Sequence, residues 1–349
     1  MNKDFASIDA PYPGEGDSSD AGAEDPGKPG VPALPAHNPQ DPVENAVVGR
    51  LAGNWRQRAA VKRAEPDLDD LFEADRPDYP EQLVPFHDHP VYQQIDDETK
   101  ARLLSWALIA YNKNIMDIEH HVVNPGFQLI AEDVFDTGLD QSQAVAVSQA
   151  MVDEEYHTLM HLNASAVTRR QRGWPMPQSA LPLSHKARQR QLRINATGER
   201  WERDLTSLAF TTAAEVSIAA HLDLFARENT IQPIHQVTAT LHNRDEYCHS
   251  SITGEIATAA FARLPDAQRR FFVKALADGL EAFSANDFTT WRRIVDLTGI
   301  EGGAQMLEDV EHQPGRRRLL QDFSGLYRLC EEMQILNDIP FDWSTVSTG

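Results

Sequence analysis

Four glutamates and two histidines recur along this chain in an order that leaves few folds open. Glu154 and His157 stand three apart in VDEEYHTLM, and Glu246 and His249 stand three apart in RDEYCHSS; there is no third Glu-x-x-His pair. Each pair falls late in a segment with helical periodicity. Each of those segments follows another helical segment that carries a glutamate among apolar or small residues, Glu119 in NIMDIEHHVV and Glu215 in TTAAEVSIAA. Glu119 precedes Glu154 by 35 positions, and Glu215 precedes Glu246 by 31. Offsets of three and four share a helix face. The order therefore reads as a two-fold repeat of a helical hairpin with its ionisable groups turned inward. Bundles that hold two iron or manganese ions are built in this way.

The residue types suit that chemistry. Multivalent ions in a low-dielectric core need compensating negative charge, which carboxylates supply, and imidazoles complete the set as neutral donors that suit iron. Glu215, taken alone, is either solvated on a small-residue face or a buried carboxylate; three matching partners favour the second. Glu119 is less clean, because His120 or His121 could stand in its place, although Trp106, Ala110, Ile115 and Val122 share its face. His242 is a third histidine, one turn before Glu246 in LHNRDEYCHS. A lone histidine is as often a hydrogen-bonded core residue, but this face already points at the expected ions, so His242 is read as a ligand. His161 and His235 fall in register with these groups and are expected one step further out. Asp153, Glu155 and Asp245 are either solvated or accept the outer imidazole N–H of a ligand.

Around this pattern the chain divides into an acidic Pro/Gly-rich tail over 1–45, expected to be disordered, an extension over 46–94, and a helical domain over 95–338. The extension should hold a short helix near VGRLAGNWRQRAAVKR and a Pro/His-rich loop, FHDHPVYQQ. In the domain, a helix opening at DDETK should break or kink at NPG, 124–126. Long helices follow at QSQAVAVS…VTRR, GERWERD…FAREN and PIHQVTA…FARL, the last with proline near N1. A connection rich in proline and arginine is expected over 171–198. Helices over 265–299 and near 315–336 complete an all-α, ferritin-like four-helix bundle core with additional helices.

Composition narrows the partners. Against 53 Asp+Glu there are 32 Lys+Arg, a net charge of −21, which disfavours nucleic acid and anionic membranes. Cys248 and Cys330 are the two cysteines, too few for a disulfide framework or a cysteine-based zinc or iron–sulfur site. The N-terminus lacks an apolar signal core, and no uninterrupted apolar run approaches 18 residues. A soluble, cytoplasmic protein with no membrane span is expected.

Glu119, Glu154-x-x-His157, Glu215 and His242-x-x-x-Glu246-x-x-His249, with the wording DEEYHTLMHL, resemble the p-aminobenzoate N-oxygenase family over roughly residues 95–335. These are ferritin-like non-haem di-iron oxygenases of antibiotic and other secondary-metabolite pathways, marked out by the extra histidine of the last bundle helix. The resemblance implies that these seven side chains hold two iron ions. It also implies that O2 is the co-substrate, that a primary amine is oxidised to hydroxylamine, nitroso or nitro level, and that an external electron donor and a homodimer are involved. Helix geometry before Glu119 suggests Tyr111 and Asn114 as substrate-pocket residues. The arginine-rich stretch 169–193 is either a carboxylate anchor or a solvated loop. Competing readings keep the scaffold and change the chemistry to C–H hydroxylation or desaturation, to non-catalytic iron binding, or to a radical role for Tyr156. Tyr156 should point about 100° away from the metal face.

Overall fold

Every extended element in the computed structural model is helical among the described residues, which are 48–64, 66–138, 141–319 and 322–348. Only isolated bridges, Ala285 with Arg318 and Asp322 with Ser347, interrupt that pattern. The tail expected over 1–45 lies outside the described residues. The first helix, α1 (Gly49–Arg58), runs into a tight turn at Ala60–Lys62. Within the stretch expected as a loop, α2 (Pro90–Gln94) forms, because His89 Nδ1 accepts Val91 N–H and proline sits at N1.

The first bundle helix, α3 (Asp97–Ile118), starts at Asp96, whose Oδ1 accepts Thr99 N–H at 2.9 Å. Its far end departs from expectation. Rather than breaking at NPG, the helix widens one turn earlier, in a π-helical turn over Glu119–Val123, and continues as α4 (Asn124–Ala131). Pro125 has no N–H to return to the preceding turn, so backbone carbonyls there need other donors. Arg190 Nη1 donates to His121 O at 2.8 Å, and Thr211 Oγ1 donates to Val122 O at 3.0 Å. Glu119 is the first residue of this widened turn, and such turns frequently coincide with functional sites.

The long helix α5 (Gln141–Arg172) follows. The expected connection holds a further helix, α6 (His185–Asn195), capped by Ser184 accepting Ala187 N–H. The prolines of that stretch all precede its first turn, where they do no harm. Then come α7 (Arg200–Ala226), closed by a Glu199/Glu202 capping box, and α8 (Pro233–Arg263). The segment expected as one helix over 265–299 divides into α9 (Asp266–Ser284) and α10 (Phe288–Thr298), because Asp287 caps a new start and Gly299 closes it at φ 69°. Two short helices, α11 (Gly303–Glu311) and α12 (Ser324–Glu332), end the fold.

Helices α3, α5, α7 and α8 form the central bundle; α9 and α12 cover α7, α10 lies on α3, and α1 crosses α5 and α8. Below the bundle, an aromatic core joins Tyr79, Phe86, Tyr111, Phe225 and Trp291, with Tyr111 stacked on Phe225 at 3.8 Å between ring centres. By length and composition α7 could cross a membrane, yet 67% of its most apolar stretch is buried inside the protein. It is the bundle's innermost wall.

Gly126 of α4 packs directly against Thr211 of α7. A Cβ there would overlap the Thr211 hydroxyl that holds Val122 O. Gly126→Ala should lower unfolding stability by about 1–3 kcal/mol in chemical denaturation. Adding Thr211→Ser, which deletes a methyl and keeps the hydroxyl, should recover little, whereas adding Thr211→Ala should recover part of the loss.

Candidate metal centre

The four bundle helices bring all seven expected ligands to one place. Glu119 comes from the π-helical turn that follows α3, Glu154 and His157 from α5, Glu215 from α7, and His242, Glu246 and His249 from α8; each is at most 2% exposed. Two quartets form, Glu154/His157/His242/Glu246 and Glu154/Glu215/Glu246/His249, with donor atoms within 4.8 Å of one another in each. Glu154 and Glu246 belong to both. Glu119 Oε1 lies 4.0 Å from His242 Nε2, on the side of the first quartet. The result is two adjacent positions with two carboxylates between them. His120 and His121 are exposed, and His120 faces Glu155 at 3.6 Å on the outer surface, so Glu119 is the inward residue of that turn.

Electrostatics show what the cage lacks. Burial, then the carboxylates of Glu154, Glu246 and Glu215, push the Glu119 carboxyl well above the usual range. Glu215 is raised well above it too, by burial and by Glu246 and Glu154. Burial alone would also raise Glu154, but the His249 and His157 imidazoles outweigh it and leave its pKa low. Burial opposes charge on His157 as well; the carboxylates of Glu154, Asp245 and Glu246 win and raise it to about 10. Without a cation, then, protons do the neutralising. Even so, Glu119 Oε2, Glu154 Oε1, Glu215 Oε2, Glu246 Oε2 and His249 Nδ1 are buried with no hydrogen-bond partner among the described residues. His249 Nδ1 does lie 2.7 Å from Glu154 Oε1, but close approach is not hydrogen-bond geometry. Buried polar atoms are normally paired. Orphans on all four glutamates fit a set of O and N donors that takes metal ions.

Each histidine turns one nitrogen inward and ties the other outward. His249 Nε2 meets Asp153 at 3.2 Å, and His157 Nε2 meets Asp245 at 3.3 Å. These pairs cross between α5 and α8, so each helix's aspartate steadies the other's imidazole. His242 Nδ1 meets His161 Nε2 at 3.0 Å, and His161 Nδ1 meets Asn112 Oδ1 at 2.9 Å. Asn112 Nδ2 then donates to Ser165 Oγ at 2.9 Å. Asp153 and Asp245 are fully buried. His235 is buried too, but away from the cage, facing Asp78 at 3.5 Å. Tyr156 is half-buried on a different face of α5 from Glu154 and His157.

Sequence reasoning missed what holds the aspartates. Trp55 Nε1 donates to Asp153 at 2.9 Å, Ala60 N–H donates to Asp245 at 3.1 Å, and Arg58 Nη1 lies 3.5 Å from Asp245. These residues belong to the 46–94 segment and carry no motif. The one signal was the unusual Trp-Arg-rich amphipathic turn itself.

A profile of the p-aminobenzoate N-oxygenase AurF family matches residues 41–334. The chain belongs to this family. It is also 35% identical over 309 residues to a 4-aminobenzoate N-oxygenase of Streptomyces thioluteus, spanning 87% of this chain and 91% of that one. The family match begins well before residue 95, where the motif resemblance starts, and takes in Trp55, Arg58 and Ala60. Membership identifies the protein as an oxygenase, an enzyme whose substrate is a small molecule.

A cavity of about 150 Å³, with none of the seven cage residues in its wall, is lined by Tyr111 and Asn114, together with Tyr79, His221, Phe225 and Trp291. Tyr111 packs edge-on to His161, the ring bonded to His242, and its buried hydroxyl has no hydrogen-bond partner among the described residues. The arginines of 169–193 are engaged elsewhere: Arg170 with Asp69, Arg172 with Asp78, Arg188 with Asp287 and Arg193 with Asp278. They knit the fold together.

Replacing Asp245 or Asp153 by Asn keeps shape and removes the charge that holds an imidazole. Each variant should bind metal about 10–100-fold more weakly, read by titration under anaerobic conditions. The raised carboxyls make a separate prediction for metal-free protein. A carboxyl whose pKa is raised by folding contributes stability that is lost as pH rises through the ordinary glutamate range. Glu119→Gln and Glu215→Gln should therefore raise the metal-free Tm at pH 7, and the gain should vanish near pH 4.

Proposed function

We propose that the chain is a cytoplasmic di-iron enzyme that uses O2 to oxygenate a primary amine, giving the hydroxylamine and then nitroso or nitro products in secondary-metabolite biosynthesis. The observation that carries this reading is the pair of overlapping quartets, with an unpartnered buried oxygen on each of the four glutamates. Three imidazoles and four carboxylates without a thiolate suit iron and do not suit a structural zinc site. Glu119, Glu154, His157, Glu215, His242, Glu246 and His249 would hold two iron ions, and Glu154 and Glu246 belong to both quartets. When bound, the iron pair supplies dioxygen activation and the redox change that amine oxygenation requires.

The chain's own residues do the rest. Asp153, Asp245 and His161 fix the imidazoles, so that their inner nitrogens meet the ions without reorganisation. The cage residues are themselves at most 2% exposed, which keeps bulk water from the reacting atoms. The cavity at Tyr111 and Asn114 is the substrate site in this reading, with Tyr111 at its inner end.

Hydroxylamine formation from an amine and O2 also consumes two electrons and two protons and releases water, so an external electron donor is part of the reaction. A homodimer would cover Val152, Leu159 and Leu162, an exposed apolar stripe on α5, along with Tyr247 of α8. The similarity to a 4-aminobenzoate N-oxygenase favours an arylamine over a C–H substrate.

Purified protein should contain two irons per chain by metal analysis. After anaerobic reduction and exposure to O2, it should convert a member of an aryl and aliphatic amine panel to the hydroxylamine, read by mass spectrometry. Turnover of a C–H substrate with indifference to every amine would replace this reading with hydroxylation. His242→Ala should lower iron occupancy; full occupancy with unaltered turnover would make His242 a structural residue.

A further inference from the structure

Two crossed Asp–His pairs lie outside the cage, and one short segment reaches both of them. The indole N–H of Trp55 meets both carboxylate oxygens of Asp153 at 2.9 Å, and Asp153 takes the outer nitrogen of His249 at 3.2 Å. Ala60 N–H meets both oxygens of Asp245, at 3.1 and 3.3 Å, and Asp245 takes the outer nitrogen of His157 at 3.3 Å. The buried guanidinium of Arg58 stands 3.5 Å from the same aspartate. An aspartate carboxylate turns broadly about its last torsion, so an imidazole bonded to it is only as well aimed as the carboxylate itself. A donor that meets both oxygens restrains that rotation.

Local structure makes both donors available. Helix α1 ends at Arg58, and Ala59, extended at φ −60° and ψ 134°, lets Ala60 begin a new turn. The first N–H of such a turn has no partner within it, which leaves that of Ala60 for Asp245. Lys62, at the end of the turn, comes back over the Trp55 ring at 4.3 Å and helps to hold the indole. The two chains of contact then end at different places. His249 belongs only to the quartet that contains Glu215, and His157 only to the quartet that contains His242.

We propose that Trp55 and Ala60 are positioning residues, each for one of the two ion positions. Trp55, acting through Asp153, aims His249; Ala60 N–H, with Arg58 beside it, acts through Asp245 and aims His157. The proposal rests on the two-iron reading of the cage. Cutting one chain of contacts loosens one ion and leaves the other in place, although both chains start within six residues of each other. General support of the bundle by α1 would instead weaken both ions together.

The test is anaerobic competition between full-length, iron(II)-loaded protein and a chromophoric chelator, which reads affinity without turnover. Trp55→Phe keeps an aromatic ring and deletes the donor. Ala60→Pro deletes the N–H at a site where the extended residue ahead and the start of a turn already suit proline. Each should weaken one of the two irons by about three- to tenfold, less than loss of an outer partner that touches the imidazole directly. Adding Trp55→Phe to Asp153→Ala should cost little more, because the carboxylate it acts through is gone, whereas adding it to Asp245→Ala should cost its full factor. Ala60→Pro should show the reverse pattern. Equal costs on the two backgrounds, weakening of both irons by either single variant, or no loss from either would overturn the proposal. If Trp55→Phe does not fold, the Ala60→Pro cycle decides by the same criteria. A parent that holds fewer than two irons would overturn the two-iron reading itself; a parent that holds two and is indifferent to these variants overturns the positioning alone.

Discussion

Four carboxylates buried within a few ångströms of one another repel, and the fold is arranged around that repulsion. Glu119 and Glu215 stand farther from an imidazole, 4.0 Å from His242 and 3.9 Å from His249, and hold protons when no cation is present. Glu154 and Glu246 stay ionised because His249 and its neighbours stand beside them. Such a cluster adds nothing to stability by itself, since charge buried without full compensation costs more than apolar packing of the same volume. Its retention in the centre of a bundle is intelligible if multivalent cations replace the protons and meet the orphaned oxygens.

That constraint spreads outward through hydrogen bonds. An imidazole in the cage is useful only in one orientation, so each has its outer nitrogen tied to Asp153, Asp245 or His161. The aspartates are buried in turn and need donors, which α1 and the turn after it supply through Trp55 and Ala60, with the Arg58 guanidinium as an ion-pair partner of Asp245. The segment ahead of the bundle is therefore part of the site's support, consistent with a family match that begins at residue 41. On the other side, the π-helical turn that carries Glu119 depends on α6 and α7 for the donors Arg190 and Thr211.

Much of this is legible in the chain without its fold. Helical periodicity and caps place the four bundle helices, because those signals are local: Asp96, Pro233 and the Glu199/Glu202 box act within a turn or two. The helix α6 is obscured by prolines that lie just ahead of it. The division between α9 and α10 turns on a single capping aspartate. The widened turn at Glu119 is not legible, since nothing in EHHVV says that the ladder will slip by one residue.

The sequence by itself determined the donor set and its two-fold order, because three- and four-residue offsets on a helix dictate a shared face whatever lies around it. Tertiary structure alone decided which of Glu119, His120 and His121 turns inward, and that the aspartates cross between helices. Those outcomes depend on which distant groups arrive opposite a side chain, and a contact between residues far apart in the chain leaves no periodic trace in it.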